Sequence, residues 1–203
     1  MVQPPAGKCR GEGVGRACIA DQRLGAKRAD PRGEGGEQRL RWRAFGQLVE
    51  STTRVTASAF LQALVAAVPY RIHTVLTDNG IQFRFAPRYA DGPTARYMNH
   101  MFAMRCQEHG IEHRFNRINH PWTNGQVERM NRTIKDATVK RFHYDSHEQL
   151  RRHLQDFVAA YNFARRLKRL RGLTPYEFIC KTWAAEPQRF KATPHHQIPG
   201  LNT

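Results

Sequence analysis

Residues Ala59 to Thr77 write a helix-to-strand unit, and that unit restricts the chain to folds that alternate the two. Ala59-Phe60-Leu61-Gln62-Ala63-Leu64-Val65-Ala66-Ala67-Val68 is apolar at all but one position and predicts a helix packed on its apolar face. Pro69 ends it, since proline has no N–H for the ladder and its ring clashes with the preceding turn. Arg71-Ile72-His73-Thr74-Val75-Leu76-Thr77 follows as a short strand. A turn-rich connection (Ala86 to Pro93) leads to a second helical stretch with Tyr97, Met101, Met104 and Cys106, closing near Gly110. Glu112-His113-Arg114-Phe115-Asn116 reads as another strand. A further helix begins near residue 124, and a last long one is written in Leu150, Leu154, Phe157, Val158 and Tyr161, spaced i, i+4, i+7, i+8, i+11. Its charged face carries Arg151, Arg152 and Arg165. The order helix, strand, helix, strand, helix, helix suits an α/β layer sandwich, and no internal repeat is visible.

The text changes character near Phe45. Residues 1–43 hold 8 of the 15 glycines and ten Lys/Arg against five Asp/Glu, with apolar residues occurring singly and without period. That composition predicts an irregular basic segment, disordered or out of frame. The expected division is therefore 1–43 as this segment, 44–181 as one folded core, and 182–203 as a carboxy-terminal tail. With 203 residues and 40% apolar content, one domain is what the chain can fill.

Charge points to a partner. Thirty-three Lys+Arg against 17 Asp+Glu give a formal charge of +16, which favours a polyanion through counterion release and long-range attraction. Nucleic acid is the first candidate, and a solvated basic surface or a ribosomal-type protein is the bland one. Cys9, Cys18, Cys106 and Cys180 are scattered without CxxC pairing, which suggests neither a zinc ribbon nor a disulfide framework and fits a reducing compartment. No apolar run is long enough to span a bilayer and the amino terminus has no apolar signal core, so a cytoplasmic protein is expected.

Two carboxylates carry the chemistry. Asp78 stands at the end of the apolar strand, in Thr77-Asp78-Asn79-Gly80, where backbone held in a sheet can aim it over the carboxyl edge. Glu128 stands in the first turns of the helix within His120-Pro-Trp-Thr-Asn-Gly-Gln-Val-Glu-Arg-Met-Asn-Arg-Thr-Ile-Lys135, with Thr123 and Gln126 spaced as a capping box. Val127, Met130, Ile134 and Ala137 make the buried stripe of that helix. Glu128, Asn131, Arg132 and Lys135 fall together on its polar face. Each acid has a plainer reading: Asp-Asn-Gly is a turn signal by itself, and an acid in a first helical turn is favoured by the macrodipole.

Taken together with Pro121, Asn124-Gly125, Asn131, Lys135, Tyr161-Asn162 and Leu173-Thr-Pro-Tyr-Glu177, the two acids make the chain from Phe45 onward resemble the catalytic core of DDE transposases and retroviral-type integrases. The wording is close to insertion-sequence transposases of the IS481 type. The resemblance implies a ribonuclease-H-like three-layer α/β fold with a mixed sheet, and DNA integration or transposition by metal-dependent phosphoryl transfer in a bacterial cytoplasm. It implies Asp78 and Glu128 as the second and third metal-binding, catalytic acids, with Mg²⁺ or Mn²⁺ as the ions. Asn124, Asn131, Arg132 and Lys135 would lie along the DNA. Transposon ends and target DNA would be the partners, with a homo-oligomer acting on paired ends. The 49 residues between the two acids exceed the family's usual spacing, an insertion that loops tolerate cheaply.

The family's first acid is not found. It ends the first strand in relatives, and its place falls near Gln38, inside Gly35-Gly-Glu-Gln-Arg-Leu-Arg-Trp42, with no apolar strand beneath it. Glu37 is adjacent, with Asp30 and Asp21 further off, and none has the rigid support that metal geometry requires. The fold is thus expected to lack an intact first strand, as in a truncated or frameshifted copy. Three functions stay open: an active recombinase, a non-catalytic nucleic-acid-binding or inhibitory fragment, and a degraded reading frame whose product does not fold. Cys106, His109 and His113 have near-zinc spacing but read as a solvated helix end. His143, His147, His153, His195 and His196 read as surface residues.

Overall fold

The computed structural model describes residues 43–49, 51–85, 99–116 and 125–197, with the side chains of 125–127 and 196–197 excepted. The expected α/β class is the observed one. Helix α1 spans Arg54–Ala67. Thr53 starts it with a capping box, its hydroxyl accepting from Thr56 N at 3.1 Å while its own N–H donates to Thr56 Oγ1 at 2.8 Å. Ala57, Phe60, Leu61 and Leu64 form its buried stripe. The helix stops at the residues before Pro69, and the Lys191 ammonium donates to the Val65 carbonyl in its last turn.

Strand β1 is Thr74–Thr77, shorter than the seven residues read from sequence, and strand β2 is Glu112–Phe115. They pair in parallel, Thr74 opposite Glu112 and Thr77 opposite Phe115. Helix α2 (Met101–Glu108) connects them, and Gly110 turns the chain with φ +63, a left-handed value that favours glycine. Among the described residues this two-stranded sheet is all parallel, and the antiparallel pairing is an isolated bridge between Tyr70 and Phe190. Residues after Lys181 therefore return to the core, where Phe190 meets Tyr70 edge-on at 6.0 Å.

Helices α3 (Gly125–Ala137), α4 (His147–Phe163) and α5 (Pro175–Ala185) complete the described fold. Thr174 and Glu177 form a second capping box around Pro175, a residue suited to a first helical turn. One apolar cluster joins α1, β1, α2 and α5 through residues such as Leu61, Val75, Phe102 and Ile179. A smaller one joins α3 to α4 through Ile134 and Leu154, with Leu48 packed on it. Among the described residues no helix is long and apolar enough to cross a membrane.

Candidate functional site

A parallel ladder puts the carboxyl ends of both strands on one edge, which is where α/β sheets bind ligands. Thr77 and Phe115 are the last pair, so Asp78 and Asn116 emerge side by side. Asn116 N–H donates to the Thr77 carbonyl at 2.8 Å, and the Asn79 amide donates to the Asn116 carbonyl at 2.9 Å. These two bonds fix the edge. Asp78 is half-buried, and its Oδ1 accepts from Gly80 N–H at 2.9 Å. The turn reading of Asp-Asn-Gly is thus realised, and it leaves acceptor capacity, because a carboxylate has about four lone-pair sites. A Cβ at Gly80 would fall 2.4 Å from the amide end of the Gln82 side chain, which would have to swing aside.

Beneath the edge, Thr77 Oγ1 meets His113 Nε2 at 2.8 Å. Burial, helped by the charge of His100, pulls the His113 imidazole down to about 4, which keeps it neutral near pH 7. Its ring lies 4.9 Å from Phe102 and 4.3 Å from Phe115. The Arg84 guanidinium reaches over from the loop after β1, 5.5 Å from the Phe115 ring and 3.5 Å from Asn79 Oδ1. That places a cation against the Asn79 and Phe115 side chains. Asn116 Oδ1 is buried with no hydrogen-bond partner among the described residues.

Helix α3 holds the other predicted residues. Glu128 in its first turn is exposed, as are Arg132 and Lys135 at the i+4 and i+7 positions, while Asn131 is half-buried and Ile134 faces inward. Its outer face is therefore an acid followed by two cations, as the sequence predicts. Asn124 and the Thr123 cap lie outside the described residues, and so does the side chain of Val127. Asp78 belongs to the sheet edge, on a different element from the helix set. Among the described residues no group of three or more His, Cys, Asp or Glu could hold a metal ion. Asp78 and Glu128 by themselves are a sparse ligand set for a divalent ion pair.

Residues 109–175 match the family model described as Integrase core domain. The matched stretch contains β2, α3, α4 and the whole predicted α3 set, whereas Asp78 lies before it. Ninety-four residues are 31% identical to the uncharacterized protein K02A2.6 of Caenorhabditis elegans, a span of 46% of this chain and 6% of that protein. The catalytic core domain of BIV integrase is similar at 20% identity, over 71% of this chain and 82% of that one, with a TM-score of 0.49.

Around the integrase-core match, two sequence readings need correction. Cys106 and His113 are not a solvated helix end: Cys106 is 1% exposed on the inner face of α2, where burial pushes its thiol up to about 12, and His113 faces Thr77. His109 alone of the three is exposed. His153 is not a plain surface residue either. Its Nδ1 lies 2.6 Å from the Tyr144 hydroxyl and its ring 5.1 Å from Phe142, because the chain before α4 folds back over that helix. Arg84 and Asn116 were not singled out by sequence reasoning. The signal for Asn116 was there, since it follows β2 as Asp78 follows β1.

Proposed function

We propose that this chain is a DNA-handling core of the integrase and transposase kind, of the IS481 insertion-sequence type, which binds DNA without completing strand transfer by itself. The observation that carries the reading is the integrase-core match over residues 109–175, whose α3 presents Arg132 and Lys135 beside Glu128 on one exposed face. Two cations seven and four residues beyond an acid suit a phosphate backbone approached by a carboxylate. Asp78 and Glu128 are the carboxylates that a complete core would use on scissile phosphates, in a ribonuclease-H-like arrangement with Mg²⁺ or Mn²⁺. The chain's formal charge of +16 supplies the long-range attraction. In the full assembly the process served is DNA integration or transposition, with transposon ends and target as partners and copies of the chain acting together.

The test pairs binding with cleavage on the full chain. A labelled duplex should bind with affinity that falls steeply with salt, and Arg132→Gln with Lys135→Gln should lower the slope of log K against log salt by about 2. No nicking should appear with Mg²⁺ or Mn²⁺. Metal-dependent nicking that Asp78→Asn abolishes would overturn the non-catalytic part and identify an active recombinase. Absence of binding at low salt would overturn the DNA reading itself.

A further inference from the structure

Arg165-Arg166-Leu167-Lys168-Arg169-Leu170-Arg171 puts five cations into seven residues, each of them exposed. A solvated charge run is the bland reading of such a stretch. This one is built. Leu167 N–H donates to the Leu173 carbonyl at 3.1 Å and Gly172 N–H to the Leu167 carbonyl at 3.1 Å, which closes a loop over a short 3₁₀ turn, Lys168–Leu170. Leu170 is 3% exposed and pins the loop to the protein. Arg171, at φ 56, and Gly172, at φ 84, complete the turn in left-handed geometry, which a non-glycine residue adopts at a cost.

Some surface cations are held by acids. Arg105, Arg114, Lys140 and Arg151 each hold an acid at 2.7 or 2.8 Å. In the loop, Arg166 reaches Glu177 at 3.6 Å and the Gly172 carbonyl at 3.0 Å, while Arg165 lies over the Tyr161 ring at 5.4 Å. Lys168 and Arg171 form no ion pair among the described residues. Like charges held this close repel, and a polyanion relieves that repulsion while releasing its own counterions.

We propose that the closed loop 167–173 is a second nucleic-acid contact, in which Lys168, Arg169 and Arg171 grip the phosphate backbone of duplex DNA independently of α3. The proposal rests on the DNA-binding reading above. A phosphate contact without base contacts positions the duplex and carries no sequence preference. A preformed loop loses little freedom when it engages, which is what a positioning contact needs.

Fluorescence anisotropy on a random-sequence duplex, across a salt series, compares three full-length proteins. One is unaltered. One carries Lys168→Gln, Arg169→Gln and Arg171→Gln. The third carries Arg105→Gln, Lys140→Gln and Arg151→Gln, the same charge change at cations already paired with acids. Loss of three phosphate contacts lowers the slope of log K against log salt by about 2 to 3, and the paired-site control moves it by less than about 1. Equal slopes for the two variants overturn the loop proposal and leave the DNA reading standing. No binding by the unaltered chain at low salt overturns both. Loop-dependent binding to phosphatidylserine vesicles, with DNA binding unchanged, would make the partner a lipid surface and also overturn it. If the triple loop variant loses its helical circular dichroism, Lys168→Gln and Arg169→Gln singly must each lower the slope by about 0.9, or the proposal fails.

Discussion

The two apolar clusters are unequal, and the integrase-core match falls mostly on the weaker one. The larger buries residues from α1, β1, α2 and α5, including Leu61 at 1%, Val68 at 2% and Tyr70 at 2% exposure. The smaller has Ile134 and Leu154 as its buried members, with Met130, Phe157, Val158 and Leu48 only half-covered around them. Yet α3 and α4, which it joins, carry Glu128, Arg132, Lys135 and the arm that leads to the basic loop. Polar bonding supplements apolar packing there. The Asn162 side chain donates to the Ala44 carbonyl and accepts from Ala44 N–H, both at 2.8 Å, clamping residues 118 positions apart. The scaffold is thus fixed by area removed from water, whereas the candidate DNA face hangs on a few pairings and can shift without dismantling the sheet.

The largest effect should come from breaking the large cluster. Leu61→Ala removes a fully enclosed side chain and should cost about 3 to 5 kcal/mol, because the surrounding helices and strand cannot close the void. Leu154→Ala removes the same atoms from the smaller cluster, where half-exposed neighbours can settle inward, and should cost nearer about 2 kcal/mol. Urea unfolding of the two variants decides the comparison. Equal losses would mean the clusters are one cooperative core.

A smaller loss should follow Asn162→Ala, which leaves both backbone groups of Ala44 without partners in a buried setting. The expected cost is about 1 to 3 kcal/mol. Amide exchange separates this from general loosening: the Ala44 N–H should exchange far faster, with β1 and β2 protected as before. If protection falls everywhere alike, the clamp belongs to the main core.

Much of the scaffold was legible, since α1 and Pro69, the β1 and β2 texts and the Leu150 to Tyr161 stripe each carry a local signal of period or termination. The helix bearing Glu128 was legible in the same way, through Met130 and Ile134 against Arg132 and Lys135. What the sequence withheld is tertiary. Asn162 reads as one polar residue in a helix, and its partner is a backbone segment more than a hundred residues earlier. His113 reads with Cys106 and His109 as a solvated helix end, and only its contacts with Thr77 and with Phe102 from α2 show it turned inward. Asn116 gains its place beside Asp78 from strand register, which four-residue strands do not announce.

The smallest effect, and the sharpest probe of where the clusters part, is acid. In the unfolded chain His113 should titrate near an ordinary histidine value of about 6.5, whereas in the fold burial holds it down to about 4. Between those values the unfolded chain binds a proton that the folded chain refuses. Stability therefore rises with pH through this window, is full above it, and is lost progressively as pH falls from about 6.5 to about 4. His100, lowered chiefly by burial and further by Arg54, faces His113 and acts in the same direction. Both belong to the α2 and sheet region, so acidification should loosen the large cluster that wins at neutral pH. The thermal midpoint should drop between pH 7 and pH 5, and His113→Gln, whose amide extends to the position of the imidazole Nε2 that meets Thr77, should reduce that drop. Exchange at pH 5 should rise first in β1 and β2 and only later in α4. If α4 loosens first, or His113→Gln leaves the drop unchanged, the weaker cluster governs acid stability.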